Sequence, residues 1–433
     1  MLRALLLLPA VLPAVLSAVL SAVLLAGCVS VRVDPVAVSA AWPQMRGPSA
    51  QGVAAATNLP LTWSETQHIA WKTPIPGDGW SSPVVGTDAV YLTSALDGGR
   101  SLHAYRIDLA SGTVTWDVEV FTNTVVPEKH ARNTHASPTP VVRGDRLYVH
   151  FGSMGTACLA IADGKTLWSN RDLKVDHEVG AGGSPVLYRD TLLLTCDGID
   201  AQYGVALDAN TGTLLWRSDR SATERLAKVS ASLRKSFGTP LVLSIDGRDQ
   251  AITIGSERLY AHDPRTGSEL WHVDFTGFSN ASMPVSDGRM LVFNTAFASS
   301  QLWGVRLGGA SGDATASHVT WKTKFSSLSQ PSLILFDTRV YAVNDSGILV
   351  CLDVATGKEV YKERLGSDFA ASPILAGDRL YFFDARGSAK VVQAGADFRV
   401  LATNTLDAGC MASPAVVGNA LIVRTKTHLY RIE

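Results

Sequence analysis

The chain has 433 residues, 46% of them hydrophobic, with 38 Lys and Arg set against 39 Asp and Glu for a formal net charge of −1. A balance so close to neutral, with no long basic run, disfavours nucleic acid and anionic surfaces as partners. The apolar content suffices for a large core, and length alone would suggest two or three domains.

The chain opens with Arg3 ahead of an apolar run from Ala4 to Ala26, which ends in Leu25-Ala26-Gly27-Cys28. A positive start, an apolar middle and small residues before a break describe a secretory signal. The ending resembles the bacterial lipobox, which implies cleavage before Cys28 and diacylation of its sulfur. Val29 follows where an acidic residue would hold the protein at the inner membrane, so the pattern implies the outer one. The alternatives are a plain signal peptide or a retained membrane helix, since the run is long enough to span a bilayer. The boundaries read as a signal peptide over 1–27, a tether over 28–41 and one domain over 42–433. No second span of membrane length follows, so any membrane contact is expected through the lipid anchor alone.

Beyond the tether, Ser/Thr/Gln/Met-Pro steps recur at Pro83, Pro138, Pro185, Pro240, Pro284, Pro331, Pro373 and Pro414. Their spacing averages about 47 residues, the period of a four-stranded propeller blade. A second frame recurs within the repeat. Asp208…Thr211-Gly212…Trp216 reads as strand, tight turn and strand, and it returns as Asp108…Gly112…Trp116, Asp163-Gly164…Trp168, Asp263…Gly267…Trp271 and Asp353…Gly357…Tyr361. Glycine supplies the positive φ of such a turn, and Asp and Thr bond its backbone. The aromatic four residues later is expected to fill the wedge between neighbouring sheets.

Trp71, Trp116, Trp168, Trp216, Trp271, Trp321 and Tyr361 give seven such aromatics, with Leu401 in the eighth position. Trp71 precedes the first proline step, and the chain stops at Glu433 without a closing strand. The segment from His68 to Ile75 is therefore expected to pair with His428 to Ile432, which removes the exposed sheet edge. The fold class that follows is all-β: an eight-bladed propeller of four-stranded antiparallel blades closed by an N-terminal strand, with a monomeric body.

Cys158, Cys196, Cys351 and Cys410 lie in or beside apolar strands of different blades and show no paired spacing, so they read as buried free thiols. No zinc-type Cys-x-x-Cys or His-x-x-x-His pattern occurs. Between Trp216 and Pro240 an insertion departs from the repeat. Ser221 and Glu224 form a capping-box pattern there, ahead of a Leu226, Val229 and Leu233 stripe, which predicts a short helix.

Blade geometry separates two faces. The Asp/Gly turns join outer strands on one face, while the loops entering the inner strands gather on the other. Lys129 to His135 enters blade two and Asp176-His177-Glu178 enters blade three, and His103, His130, His135 and His177 are expected near this rim. The candidate ligand-binding residues are Trp80, His130, Arg132, Asn133, His135, Asp176, His177, Glu178, Asp197 and Asp200, in a polar funnel over blades two and three. The bland reading is that such loops bond one another around a channel. The Gly180 to Gly183 run reads as a close approach of blades rather than a phosphate cradle, since neither a helix nor a suitably spaced Lys follows.

The Asp-x-x-Thr-Gly turn followed by Trp resembles the repeat of pyrroloquinoline-quinone (PQQ) enzymes, shared with the propeller lipoprotein of the outer-membrane β-barrel assembly machinery. Trp42-Pro43-Gln44-Met45-Arg46-Gly47-Pro48, Gly79-Trp80-Ser81-Ser82-Pro83 and Met411-Ala412-Ser413-Pro414 are similar to segments of exported bacterial proteins known as PQQ-binding-like β-propeller repeat proteins. The quinoproteins of this superfamily imply a calcium held by Glu, Asn and Asp, a catalytic Asp and a vicinal Cys-Cys pair. No Cys-Cys pair exists here, although Glu178, Asn280, Asp345 and Asp384 are oxygen ligands of suitable type. No Gly-x-Ser-x-Gly or other nucleophile signature is present. The expectation is a non-catalytic envelope propeller without cofactor, catalytic residues or metal, facing the periplasm and binding a protein partner or a small polar ligand. The alternatives are a PQQ-dependent dehydrogenase or a carbohydrate-binding or hydrolytic activity in the funnel.

Overall fold

A computed structural model describes residues 42–298, 300–326 and 330–433. The expected signal peptide, the tether and Cys28 lie outside the described residues. Eight antiparallel four-stranded sheets follow one another along the chain, as expected for the propeller. Their inner strands begin at Val84, Val141, Val186, Leu241, Val285, Ile334, Ile374 and Ala415. The second strand of each blade carries a nearly unbroken apolar run, such as Val90-Tyr91-Leu92, because both of its faces pack against neighbouring blades. Outer strands such as Leu214–Asp219 alternate between exposed and half-buried residues.

The ring closes as the sequence implies. Ile69–Pro74 pairs antiparallel with His428–Ile432, setting Thr73 opposite Leu429. A further N-terminal strand, Val53–Ala54, adds in parallel to Ile374–Ala376 of the seventh blade.

Five tryptophans staple blade to blade. The indole N–H of Trp71 donates to Leu109 O, that of Trp116 to Ile161 O, Trp168 to Ala209 O, Trp216 to Pro264 O and Trp321 to Val354 O, at 2.9 to 3.2 Å. Each ring lies on the turn glycine of the next blade. A Cβ at Gly212 would sit 2.4 Å from Trp168, and φ there is +73°. Glycine is thus required twice, for the left-handed turn and for the close approach of the indole. Trp271 differs: its N–H donates to Gln250 Oε1 of its own blade at 2.7 Å, because the fifth blade lacks the Asp/Gly turn.

The proline register needs correction at two blades. In six blades proline directly precedes the first residue of the inner strand. In the second blade this residue is Pro140 rather than Pro138, and in the sixth the position is Leu333, two residues after Pro331. The shared feature is the residue before that position. Backbone N–H groups of Ser82, Thr139 and Ser184 donate to the hydroxyls of Thr139, Ser184 and Thr239, at 2.9 to 3.0 Å. Met283, Ser332, Ser372 and Ser413 donate in turn to Ser332, Ser372, Ser413 and Ser82, at 2.9 to 3.1 Å. A belt of hydroxyls therefore circles the axis, interrupted only where Met283 offers no oxygen.

The Trp42 to Gly52 segment closes one end of the axial channel. Val85 N–H donates to Trp42 O at 2.8 Å, Val142 N–H to Pro43 O at 2.9 Å and Leu375 N–H to Gly52 O at 2.8 Å. Gln51 exchanges two hydrogen bonds with the Ser286 backbone. The segment thereby touches inner strands on opposite sides of the ring. Met45 Sδ accepts the hydroxyls of Ser82 and Thr139 at 3.6 and 3.5 Å, which places it in the belt. Arg46 is 2% exposed and faces no carboxylate among the described residues. Its guanidinium reaches Leu333 O and Gln51 O, and burial lowers its pKa to about 9, so it stays protonated at neutral pH.

The insertion after Trp216 forms only the one-turn helix Thr223–Leu226 and the 3-10 turn Ala231–Leu233. The capping box does not form. Ser221 is taken instead by Glu269 and Arg258 of the fourth blade. Cys158, Cys196, Cys351 and Cys410 are free and buried, with burial raising their thiol pKa values to about 11 or 12.

Candidate functional site: the axial funnel

Loops entering the eight inner strands converge on an axial cavity of about 420 Å³. Met45 and the hydroxyls of Ser82, Thr139, Ser184, Thr239, Ser372 and Ser413 line its deep end. The mouth is aromatic. A small hairpin from the fifth blade pairs Gly277–Phe278 with Phe297–Ala298, and the two phenylalanines stack 5.6 Å apart at 28°. Phe297 is 49% exposed. Trp80 and Phe237 add further aromatic wall.

Four expected site residues lie here: Trp80, His130, Arg132 and Asn133. Trp80 Nε1 donates to Arg132 O at 3.1 Å. Arg132 reaches across the mouth to Asp368 of the loop entering the seventh blade, at 2.6 Å. Both groups are partly exposed, so this pair contributes no more than about 1 kcal/mol. Asn133 is fully engaged. Its amide donates to Val179 O and Ala181 O, and its Oδ1 accepts from Thr134 N–H and Ser137.

His135, Asp176, His177 and Glu178 line a separate cleft between blades two and three, with a volume of about 450 Å³. The pKa values of His135 and His177 are lowered, chiefly by burial, and neither ring nitrogen of His177 has a hydrogen-bond partner among the described residues. Lys235, followed by Ser232, holds the Glu178 carboxyl below its usual range. Asp197 lies in neither cavity. Its carboxylate accepts two hydrogen bonds from Arg220 at 2.7 and 2.8 Å, sealed from solvent, and Arg220 also reaches Thr253 of the fourth blade. Asp200 caps the backbone of Asp176 and Ala201. His103 stands away from the rim, on the third strand of its blade, paired with Asp117 at 2.5 Å. The Gly180 to Gly183 run does meet its neighbours closely: a Cβ at Gly183 would come 3.1 Å from Gly238 O.

Residue patterns did not disclose Met45, Lys235, Phe237, Phe278 or Phe297. The hydroxyl belt had a signal, the Ser or Thr before proline, obscured by the two prolines out of register.

Eight blades, indole-on-glycine staples and a funnel at one end define a PQQ-like β-propeller. The chain belongs to the family described as outer membrane protein assembly factor BamB, whose family model matches residues 50–193, 202–307 and 298–409. It is 25% identical over 351 residues to the outer membrane protein assembly factor BamB of Burkholderia pseudomallei (strain K96243), covering 80% of this chain and 81% of that protein. BamB from Moraxella catarrhalis superimposes with a TM-score of 0.59 at 14% identity, covering 84% of this chain and 99% of that one. A europium-containing methanol dehydrogenase superimposes with a TM-score of 0.63 at 12% identity, covering 89% of each. These last two likenesses show the fold alone.

The oxygen ligands implied by quinoproteins do not converge. Glu178 is bound by Lys235 and Ser232. Asn280 is buried, donating to Asn294 O and accepting from Ser282 N–H. Asp384 caps Arg386 and Ser388, and Asp345 meets Gln330 N–H at 3.5 Å. Among the described residues no Asp or Glu lines the axial cavity. This donor set does not fit a calcium-bound quinone there.

Proposed function

We propose that this protein is a non-catalytic scaffold of the bacterial envelope that faces the periplasm, is anchored through Cys28 at the outer membrane, and engages a protein partner with its funnel face. The observation that carries the reading is the asymmetry of the two faces. The Asp/Gly turns spend their side chains on their own backbone: Asp208 Oδ1, for instance, accepts N–H groups from Asn210 and Thr211. The funnel face instead presents the stacked Phe278 and Phe297 and the loops carrying Trp80 and Arg132. Exposed aromatic and Arg side chains around a concavity are the composition of binding surfaces. Membership of the BamB family supports the compartment and the role, since its curated relative is an outer membrane protein assembly factor. Crosslinking in the native envelope, followed by purification, tests the reading. One outer-membrane protein recovered repeatedly is the expected result, and recovery of no consistent partner overturns it.

A further inference from the structure

Several groups that line the axial cavity keep a proton free to donate. Ser184, Thr239, Ser372 and Ser413 each accept a backbone N–H from a neighbouring blade. A hydroxyl that accepts in this way still holds a proton to donate, and none of these four donates to an acceptor among the described residues. Lys235 gives hydrogen bonds to Glu178 and to Ser232 O, which leaves one ammonium proton. Arg132 donates to Asp368, which leaves guanidinium N–H groups over. The carboxylates that balance these two cations, Asp368 and Glu178, lie outside the cavity wall, and among the described residues no acid lines it. The rest of the wall includes the apolar Val179, Phe237 and Met411, below the stacked Phe278 and Phe297 of the mouth.

We propose that this funnel is a binding site for a carboxylate borne on an apolar or aromatic body. The oxygens reach the hydroxyl floor, Lys235 and Arg132 supply positive charge, and Trp80 and Phe297 flank the body. Ionised acceptors satisfy such donors best, because charge-assisted hydrogen bonds are roughly twice as strong as neutral ones. The cavity volume, about 420 Å³, falls within the range of small-ligand sites. The same chemistry is offered by a free aromatic acid and by the C-terminal carboxylate of a protein chain. The inference does not depend on the scaffold reading: failure to capture a partner would leave it standing.

Calorimetric titration of the full-length protein decides the matter. The probes are indole-3-acetate against indole-3-acetamide, and a short peptide ending in a free Phe carboxylate against its amidated form. At least one acid should bind tenfold or more tightly than its amide. Arg132→Glu, at a partly exposed position, and Lys235→Gln should each weaken that acid tenfold or more while near-ultraviolet circular dichroism stays unchanged. Binding of the peptide acid alone assigns the site to a chain terminus, and binding of indole-3-acetate assigns it to a free acid. Equal affinity for acid and amide, or no binding of either acid at millimolar concentration, overturns the proposal, and the wild-type comparison alone suffices if a variant fails to fold.

Discussion

The junction between the fourth and fifth blades contrasts with the junctions on either side of it. At the third–fourth and fifth–sixth junctions an indole rests on a glycine and donates to a carbonyl of the next blade. At the fourth–fifth junction Trp271 turns back to Gln250, and the hydroxyl belt is interrupted at Met283. What holds this junction is bulk apolar packing. Leu241, Ile252, Trp271, Phe275, Met283, Phe293, Trp303 and Ala314 form one buried cluster across both blades. Polar links between repeats are therefore replaceable by apolar area, at roughly 25 cal/mol per Å². Freed from the repeat, the loops of the fifth blade build the aromatic mouth and add Gly312–Asp313 to the edge of the fourth.

The contrast can be broken most severely at the regular third–fourth junction. Asp197→Ala leaves the Arg220 guanidinium buried without its carboxylate, and a loss of about 3–5 kcal/mol is expected from urea denaturation. Glycine substitutions sharpen it further. Gly212→Ala should cost about 3 kcal/mol, combining a disfavoured positive φ with the clash against Trp168. Gly309→Ala in the fifth blade, where nothing lies within 4 Å, should cost about 1 kcal/mol for its φ alone.

Acid should destabilise the ring. Burial lowers the pKa values of His150 and His262 from 6.5 to about 3. Both stay neutral in the folded protein where the unfolded chain takes up protons, so stability is full above about pH 6.5 and falls from there towards pH 3. The slope is about 1.4 kcal/mol per pH unit for each imidazole, and His150→Gln should flatten the fall of the urea midpoint. Opening the hydroxyl belt with Ser372→Ala should cost about 1 kcal/mol through the lost bond from Ser332 N–H. Phe297→Ala at the mouth should change stability by less than about 0.5 kcal/mol.

The blade count and the N-terminal clasp were legible in the sequence because both rest on periodic, local signals: proline steps, Asp/Gly turns and an aromatic at a fixed offset. The segment that closes the channel was not, since Trp42 to Gly52 has no period and takes its shape from four distant inner strands, which it meets at Val85, Val142, Ser286 and Leu375. Asp197 shows the same limit. As a loop acid it looked available, and only its long-range partner Arg220 removes it from solvent. The expected cluster over blades two and three divides into two cavities because His130 and His177, both in loops entering inner strands, lie on different sides of the loop wall. Phe278 and Phe297 come from the blade that departs most from the repeat, so no pattern pointed to them.

If the funnel face is the working surface and the turn face is structural, the two should differ in what they touch in the native envelope. A photo-crosslinking residue placed at position 297 of the mouth, and separately at position 211 of an Asp/Gly turn, tests this difference there. A discrete adduct from position 297 and none from position 211 is the expected result. Equal adducts from both, or an adduct from position 211 alone, would contradict it.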